Sequence, residues 1–467
     1  MTRHDATPLA GSFRDPSGFI FERDGVLYRQ VNHFYSDDYD LLVQSGLYDS
    51  LVGEGLLIPH EEVSAPAAQP QTACRVIAPE RLPFVSYPYE WCFSQLKDAA
   101  LATLAIQKKA FEAGMWLKDS SAYNIQFAGG RPVLIDTLSF EKYREGQPWV
   151  AYRQFCQHFL APLALMALRD VRLGQLMRVY IDGVPLDLAS RLLPLKSRLR
   201  PSLLTHICLH ARLQRRWADR SDQAAVSREG NISRRGFAGM VDSLEAAVRR
   251  LCWKPKGTEW ATYYEDTNYT PAAFAHKQRI VGELIEAARP QTVWDLGANT
   301  GVFSRLAAGR ARIVVSFDVD PAAVEKNYLE CAGSQKAVLP LLADLTNPSP
   351  PLGWNLCERT SLIERGPADT VIALALVHHL AISNNVPLDM IMDFFEQICD
   401  TLIVEFAPKE DSQVQRLLAT REDVFPDYTR EGFEGALRSR FKISRCEELS
   451  ESRRIIYLAR SLRKTGW

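Results

Sequence analysis

The sequence predicts an α/β protein with two domains, a mostly parallel sheet in its carboxy-terminal part and an α+β domain before it. The chain has 467 residues, whereas one domain typically takes ~100–200. From Thr292 onward, short apolar strands alternate with helices, which is typical of a parallel sheet covered on both faces. The amino-terminal part opens differently, with a hairpin signal at Asp24-Gly25 followed by long helical stretches.

Composition excludes several classes of protein. Hydrophobic residues make up 46% and charged residues 24% of the chain, as in ordinary globular proteins. The net charge of -1 provides no global attraction to nucleic acid or to anionic lipid, so no nucleic-acid partner is expected. The nine cysteines are scattered singly, without a C-x-x-C pair. They are expected to be reduced thiols rather than disulfides or zinc ligands.

Neither a targeting segment nor a membrane span is predicted. The first residues lack the apolar core of a signal peptide, and the longest apolar stretch, Phe159–Leu168, is too short to cross a bilayer. We therefore expect a cytoplasmic protein without a membrane span. The sequence does not indicate an oligomeric state.

Helical periodicity, together with residues that end helices or form turns, divides the chain into predicted segments. Helices are predicted at 37–51, 94–113 and 240–251, extended chain at 74–91 and an almost wholly helical stretch at 149–217. Residues 221–235 are polar, with almost nothing apolar to bury, and therefore resemble a linker. The predicted domains are residues 1–220 and 253–467, joined by a linker and connecting helix at 221–252.

The most informative motif is the turn that follows the first strand of the second domain. Asp295 ends an apolar run, and Gly297, Asn299 and Gly301 follow before a helix begins at Val302. Because glycines lack a Cβ, the backbone at such a turn can approach a ligand closely. We therefore expect these four residues to bind a cofactor.

Acidic residues also follow the next two strands, at the same predicted edge of the sheet. Asp318 ends the second strand, with Asp320 two residues later, and Asp344-Leu345 follows the third. An acid at the end of the second strand can accept hydrogen bonds from ribose hydroxyls. Each acid alone could equally be strand-end turn chemistry. The three acids Asp295, Asp318 and Asp344, which follow successive strands at βαβ spacing, together favour a nucleoside-like cofactor.

The ends of the fourth and fifth strands carry candidate catalytic side chains. His378 and His379 follow the fourth strand, and a base near an acceptor hydroxyl would assist transfer to oxygen. His379 is the first choice and His378 the second, although either could pack or cap the loop. Glu405, in the fifth strand, could support the histidines. A buried glutamate needs a partner, and Lys409 could pair with it for purely structural reasons.

An aromatic and polar stretch precedes the glycine turn. It contains Trp260, Tyr263, Tyr264, Asn268, Tyr269 and Lys277. We interpret this segment as a lid over the cofactor or the acceptor. A packing helix against the sheet is the alternative.

The glycine turn resembles the D-x-G-x-x-x-G motif of class I S-adenosylmethionine-dependent methyltransferases rather than the G-x-G-x-x-G of dinucleotide binders. That resemblance implies a Rossmann-like, seven-stranded sheet with S-adenosylmethionine as cofactor. It assigns the ribose to Asp318, with Asp320 as substitute, and the adenine to the Asp344-Leu345 position.

The stretches at 376–380, 383–387, 405–411 and 425–428 resemble the bacterial methyltransferases of the nodulation-protein-like group. This likeness covers about the last two-fifths of the chain. It implies a saccharide or another small molecule with a hydroxyl group as acceptor. The sequence does not decide whether the methyl group is transferred to an oxygen or to a nitrogen atom.

Part of the amino-terminal domain resembles the kinase-like fold. There Asp119 would be the catalytic base of a D-x-x-x-x-N loop, Asn124 a metal-binding asparagine and Asp136 the acid that holds magnesium with ATP. Departures from the pattern are Leu117 in place of histidine, Thr137-Leu138 in place of Phe-Gly, and the absence of a glycine-rich loop. In the third-strand position only Arg29 is available, which cannot simply replace the nucleotide lysine.

The kinase-like resemblance leaves two interpretations open. Either this domain is degenerate and aids acceptor binding or stability, or the protein is a bifunctional or regulatory phosphotransferase with a secondary methyltransferase half. His206 and His210 could face a metal from one helix. Without a third ligand nearby in sequence, they are interpreted as packing residues, and no metal site is assigned outside the kinase-like loop.

Overall fold

The chain forms two compact units. The computed structural model describes residues 7–213, 232–255, 270–332, 337–419 and 422–463. Unit 1 comprises residues 1–254 together with 351–359, and unit 2 comprises residues 255–350 and 360–467. In the described residues, no helix is both long enough and apolar enough to cross a membrane.

Unit 1 opens with a five-stranded antiparallel sheet in the order β1-β2-β3-β5-β4. The hairpin predicted around Asp24-Gly25 is confirmed, and both residues have positive φ angles, 51° and 76°. Two further pairs, β6-β9 and β7-β8, follow. The strands are β1 Thr7–Pro8, β2 Gly18–Arg23, β3 Val26–Asn32, β4 His60–Glu62, β5 Ala73–Pro79, β6 Met115–Leu117, β7 Ile125–Ala128, β8 Arg131–Leu134 and β9 Phe140–Lys142.

The helices of unit 1 differ from the predicted ones mainly in where they are interrupted. The helix predicted at 37–51 is two helices, because Gly46 lies between them with a φ of 75°. Of the extended stretch predicted at 74–91, only β5 is a strand. The α-helices are Ser36–Gln44, Leu47–Gly53, Phe93–Glu112, Tyr152–Phe155, Ala161–Leu168, Leu176–Val179, Leu186–Leu192, Pro201–Leu203 and Arg234–Arg250; π-helices at Cys156–Leu160 and Leu204–Leu209 and a 3-10 helix at Leu195–Leu199 connect some of them.

Two segments assigned elsewhere from the sequence lie in unit 1. The helix Arg234–Arg250, expected to connect the domains, is part of unit 1, and the ammonium of Lys108 pairs there with Asp242 at 2.6 Å. Residues 351–359, which lie between two strands of unit 2 in sequence, also belong to unit 1. There, Glu358 accepts two hydrogen bonds from the Arg14 guanidinium, both at 2.7 Å. Residues 214–231, which include most of the predicted linker, are outside the described residues.

Unit 2 is built on a seven-stranded sheet in the order β12-β11-β10-β13-β14-β16-β15. The first five strands are parallel and the last two are antiparallel, so the sheet is mostly parallel, as predicted from the sequence. The strands are β10 Thr292–Leu296, β11 Ile313–Asp318, β12 Val338–Leu342, β13 Ala368–Ala373, β14 Cys399–Phe406, β15 Phe441–Glu448 and β16 Ile455–Ser461.

Helices cover this sheet and bury its core. Leu284 and Ile285 of one helix pack with Val293, Val314 and Ile403 of three strands, all fully buried. The helices are Pro271–Ala288, Val302–Ala307, Pro321–Ala332, Leu388–Ile398, Ser412–Leu418 and Arg430–Arg440, with a π-helix at His379–Ser383. Because β10 to β13 are parallel and adjacent, the residues after each of them meet at one edge. The strand order therefore collects the predicted site residues there.

Candidate functional site

A cavity of about 350 Å³ lies in unit 2, at the carboxyl ends of β10, β11, β12 and β13. This is the position at which open α/β sheets bind their ligands. Seven of the residues predicted as site residues line it, namely Asp295, Gly297, Asn299, Asp318, Asp344, Leu345 and His379. Its wall also contains Phe274, Lys277, Phe303, Leu376 and Leu417.

The turn after β10 has positive φ angles, which most residues other than glycine adopt only with strain. Gly297, Asn299 and Gly301 have positive φ angles of 71°, 49° and 77°. A Cβ on Gly301 would lie 2.2 Å from Oδ1 of Asn327, so this glycine serves close packing behind the turn rather than the cavity wall. The amides of Gly297 and Ala298 both donate to the carbonyl of Phe317, which fixes the turn against β11.

Asp318 presents a buried carboxylate to the cavity. It accepts hydrogen bonds from the backbone N–H groups of Asn299 at 2.7 Å and Asp320 at 2.8 Å. Burial raises its pKa to about 6, and these two hydrogen bonds oppose that shift only in part. A carboxylate has about four lone-pair positions, so two hydrogen bonds leave acceptor capacity for ligand hydroxyls.

The two other acids expected to bind the cofactor lie in different settings. Asp320 does not line the cavity, because its carboxylate accepts from the N–H groups of Ala322 and Ala323 and caps the helix that begins at Pro321. Asp344 lines the cavity and is exposed. Its carboxylate accepts from the backbone N–H of Thr346 at 2.9 Å and from its hydroxyl at 2.7 Å, which leaves the adjacent Leu345 as an apolar wall.

Asp295 forms the buried end of the cavity. Its side chain accepts a hydrogen bond from the Ser304 hydroxyl at 2.6 Å and is 3% exposed. Burial raises the pKa of this carboxyl to about 7, and the nearby charge of Asp318 adds to the shift. Asp295 is therefore partly protonated near neutral pH, so it can donate as well as accept.

Of the two histidines, only His379 reaches the cavity. It begins the π-helix His379–Ser383, and its ring lies 4.3 Å from that of His378, centroid to centroid. Burial lowers the pKa of His379 to about 4, so the imidazole is neutral at physiological pH. His378 is fully buried behind it, and burial lowers its pKa further. Its position matches the packing alternative rather than contact with an acceptor.

Glu405 lies behind the cavity in a buried ionic network. Its Oε2 accepts from Nζ of Lys277 at 2.6 Å and from the backbone N–H of Ala375 at 2.8 Å. Its Oε1 lies 3.5 Å from the guanidinium of Arg454, which also forms two hydrogen bonds to Asp411. Glu405 is fully buried and does not line the cavity, so its position supports a role in holding the loop after β13.

Sequence analysis missed most of this network. The alternative that Lys409 pairs with Glu405 is wrong, since Lys409 pairs with Asp423 at 2.7 Å. Lys277 was grouped with the aromatic lid, whereas it lies on the helix Pro271–Ala288 with its ammonium against Glu405. Arg454 lies far from the motifs in sequence, and no local sequence pattern marks it as a partner of Glu405. Apart from Lys277, the residues assigned to the lid are outside the described part of the chain.

In unit 1 the three residues singled out by the kinase-like resemblance, Asp119, Asn124 and Asp136, lie close together. The Asn124 side chain donates a hydrogen bond to the hydroxyl of Ser139, which in turn donates to Asp136. Burial opposes ionisation of Asp136, but its ion pair with Arg29 and its hydrogen bonds lower its pKa overall. Burial, together with the charge of Asp136, raises the pKa of Asp119.

The remaining sequence candidates are structural. His206 is buried, and its two ring nitrogens contact the hydroxyls of Tyr152 and Ser243 at 2.7 Å and 2.9 Å. This is the packing role that the sequence favoured. All nine cysteines are free thiols, as predicted. No group of three His, Cys, Asp or Glu side chains in the described residues could hold a metal ion.

Comparison with known proteins places the whole chain in one family. Nodulation protein NoeA of Rhizobium meliloti (strain 1021) is 36% identical over 457 residues, which cover 96% of this chain and 95% of NoeA. The chain belongs to the NoeA family. The relationship spans both units of this NoeA-family chain, whereas the likeness seen in the sequence covered only about its last two-fifths. No protein-family model matches the sequence.

Solved structures similar to this NoeA-family chain align with less than half of it. The N-methyltransferase NodS of Bradyrhizobium japonicum WM9 is 10% identical, covers 41% of this chain and 97% of its own, and has a TM-score of 0.30. The magnesium protoporphyrin IX methyltransferase of Synechocystis PCC 6803, solved with S-adenosylhomocysteine, is 19% identical, covers 43% and 93%, and has a TM-score of 0.31. The strand order of unit 2, rather than these likenesses, is what agrees with the seven-stranded sheet that the sequence resemblance implied.

Proposed function

We propose that this NoeA-family chain is an S-adenosylmethionine-dependent methyltransferase whose cofactor binds in the cavity of unit 2. The observation that carries the proposal is that Gly297, Asp318 and His379, selected from separate stretches of sequence, line one cavity at the carboxyl edge of the sheet. A cofactor turn, a hydroxyl-binding acid and a neutral base are the parts that methyl transfer to a hydroxyl requires.

The residues at this site fit the proposed cofactor. Gly297 has a φ of 71°, and a Cβ there would lie 3.4 Å from Leu376, so only a glycine keeps this part of the wall both unstrained and open. Asp318 is a buried carboxylate that accepts hydrogen bonds from two backbone N–H groups, and ribose hydroxyls would satisfy its remaining acceptor positions. We propose that Leu345 contacts the adenine ring and that Asp344 orders this loop.

In the proposed reaction, S-adenosylmethionine supplies an electrophilic methyl group on a sulfonium sulfur. The acceptor hydroxyl would lie beside His379, whose neutral imidazole accepts its proton while the new O–C bond forms and the C–S bond breaks. The proton then passes to water. A pKa of about 4 makes His379 a weak base. We therefore infer that positioning of the acceptor contributes most of the rate enhancement.

The proposed acceptor is a saccharide or another small molecule with a hydroxyl group. Kinship with a nodulation protein supports this choice. We propose that unit 1, as a degenerate kinase-like domain, aids acceptor binding. The ion pair between Arg29 and Asp136 weighs against phosphotransfer, because it occupies the carboxylate that would otherwise hold magnesium.

Calorimetric titration with S-adenosylmethionine tests the cofactor assignment. Asp318→Ala removes the proposed hydroxyl acceptor and should weaken binding about tenfold or more, and Gly297→Arg should abolish it. Asp389→Ala, which removes an exposed carboxylate from a helix of the same unit, is the matched control and should bind normally. If the wild-type chain binds no S-adenosylmethionine, the assignment is wrong.

Mass spectrometry tests the activity and searches for the acceptor. Cell extract incubated with the protein and methyl-labelled cofactor should contain a product heavier by one methylene group. His379→Ala should reduce its formation, whereas binding of the cofactor should persist. Product formation that is unchanged in His379→Ala would exclude this residue as the base.

A further inference from the structure

A short exposed turn of unit 1 combines aliphatic and cationic side chains. The 3-10 helix Leu195–Leu199 exposes 72% of Leu195 and 84% of Leu199. Lys196, Arg198 and Arg200 are exposed beside them. We call these five residues the basic leucine turn. Large apolar side chains displayed singly are common on proteins, but two within one cationic turn require an explanation.

The turn has a fixed geometry. Ser197 is its one buried residue, and both its backbone N–H and its hydroxyl donate to the carbonyl of Pro194, at 2.9 Å and 2.6 Å. The anchored serine directs the flanking side chains outward. The leucines are therefore presented by a hydrogen-bonded turn and not by a frayed end.

The stretch of sequence that contains the turn carries basic residues and no acid. Residues 188–213 contain five Lys and Arg and no Asp or Glu, whereas the whole chain has 55 basic and 56 acidic residues. Within the described part of the chain, no carboxylate pairs with Lys196, Arg198 or Arg200. The near-zero net charge of the whole chain thus conceals a local cationic surface.

The same acid-free stretch continues into a second exposed apolar pair. Leu209 and Leu213 are 40% and 51% exposed, and Arg212 is exposed next to them. The turn packs against the π-helix Leu204–Leu209, so these features belong to one surface region of unit 1.

We propose that the basic leucine turn binds the surface of an anionic membrane. Leu195 and Leu199 would enter the boundary between headgroups and acyl chains, while the three cations contact lipid phosphates. Charge complementarity selects an anionic partner, and the aliphatic side chains select lipid over nucleic acid, which offers cations a ligand but has no acyl region for leucine. Such binding needs no membrane-spanning helix. It is independent of the proposed methyl transfer.

Vesicle co-sedimentation tests this proposal with the full-length protein. Vesicles of equal parts phosphatidylglycerol and phosphatidylcholine should bind the protein, vesicles of phosphatidylcholine alone should not, and added salt should weaken binding. The variant Leu195→Ser/Leu199→Ser should bind about tenfold more weakly or worse. Val424→Ser/Met390→Ser, which removes two side chains that are each 60% exposed in unit 2, is the matched control and should bind as wild type.

A charge series completes the experiment. Lys196→Gln/Arg198→Gln/Arg200→Gln should abolish the dependence on phosphatidylglycerol, while the charge-matched Arg131→Gln/Lys142→Gln/Lys254→Gln should retain it. Circular dichroism verifies that each variant is folded. The proposal is overturned if wild type does not bind the anionic vesicles, if both vesicle types bind equally, or if the leucine variant binds normally. A mixed-sequence oligonucleotide provides the contrast. If it displaces the vesicles and binds the Leu195→Ser/Leu199→Ser variant as tightly as wild type, the ligand is a nucleic acid instead.

Discussion

The ammonium of Lys277 lies 2.6 Å from Oε2 of Glu405 in the interior of unit 2, where the two side chains are 3% and 0% exposed. The same carboxylate oxygen accepts the backbone N–H of Ala375, a residue with a φ of 50° in the loop that leads to His379. One buried ion pair thus joins the helix before β10 to the loop after β13. Lys277 itself lines the cavity, whereas Glu405 supports the wall from behind.

Removal of the Lys277 ammonium should destabilise unit 2. Lys277→Met removes the cation that lies 2.6 Å from the buried carboxylate of Glu405, so the free energy of unfolding should fall by about 3–5 kcal/mol. Urea denaturation measures the change. Lys409→Met, which breaks a partly exposed ion pair with Asp423, is the control and should cost about 1 kcal/mol or less. The double variant Lys277→Met/Glu405→Gln should recover much of the loss; no recovery would contradict the charge-burial explanation.

Gly301 should not tolerate even a methyl group. Its φ of 77° disfavours a side chain, and the added Cβ would lie 2.2 Å from Oδ1 of Asn327. Gly301→Ala should therefore lower the free energy of unfolding by about 1–3 kcal/mol and displace the turn. Gly309→Ala has open space at its Cβ and should change little. Equal unfolding temperatures for the two variants would show that the packing against Asn327 is not rigid.

The stability of unit 2 should depend on the ionisation of Asp295. Its pKa is raised from an ordinary 3.8 to about 7, so folding favours the protonated form. This contribution is present at low pH and is lost as the pH rises from about 4 to about 7. Asp295→Asn does not titrate and retains a carbonyl that can accept the Ser304 hydroxyl.

Relative to Asp295→Asn, wild type should therefore lose up to roughly 4 kcal/mol between about pH 4 and about pH 8. Urea denaturation at several pH values measures the difference. The raised pKa of Asp318 acts in both proteins and cancels from the comparison to a first approximation. A difference that stays constant with pH would mean that Asp295 is ionised throughout.

In unit 1, Arg29→Met should leave the Asp136 carboxylate buried without its cation. The free energy of unfolding should fall by about 3–5 kcal/mol, and Arg29→Met/Asp136→Asn should restore much of it. With Asp136 paired to Arg29, ATP and magnesium should not raise the unfolding temperature of wild type. A magnesium-dependent rise that Asp136→Ala abolishes would instead support the phosphotransferase interpretation.

Local patterns in the sequence were sufficient for the sheet of unit 2. Alternating apolar runs and helices predicted the five parallel strands, because strands buried on both faces must be apolar throughout. The glycine turn and the acids after β11 and β12 could be located for a related reason. Parallel strands bring their carboxyl ends to one edge, so position in the sequence implies position in space.

Contacts between distant segments could not be read in this way. The partners of Glu405 lie 128 and 49 residues away, and nothing in the local composition distinguishes Lys277 or Arg454 from a surface cation. The same limit explains Asp320, whose carboxylate caps a helix instead of lining the cavity.

The sequence by itself determined the class of sheet, the glycine turn and the residues from which a site could be chosen. Only the tertiary structure decided which of them meet: His379 lines the cavity while His378 is buried behind it, and residues 351–359 join unit 1 although they are encoded within unit 2. The physical reason is that periodicity and turn chemistry act over a few residues. Burial, ion pairing and pKa are set instead by neighbours that the fold brings together from anywhere in the chain.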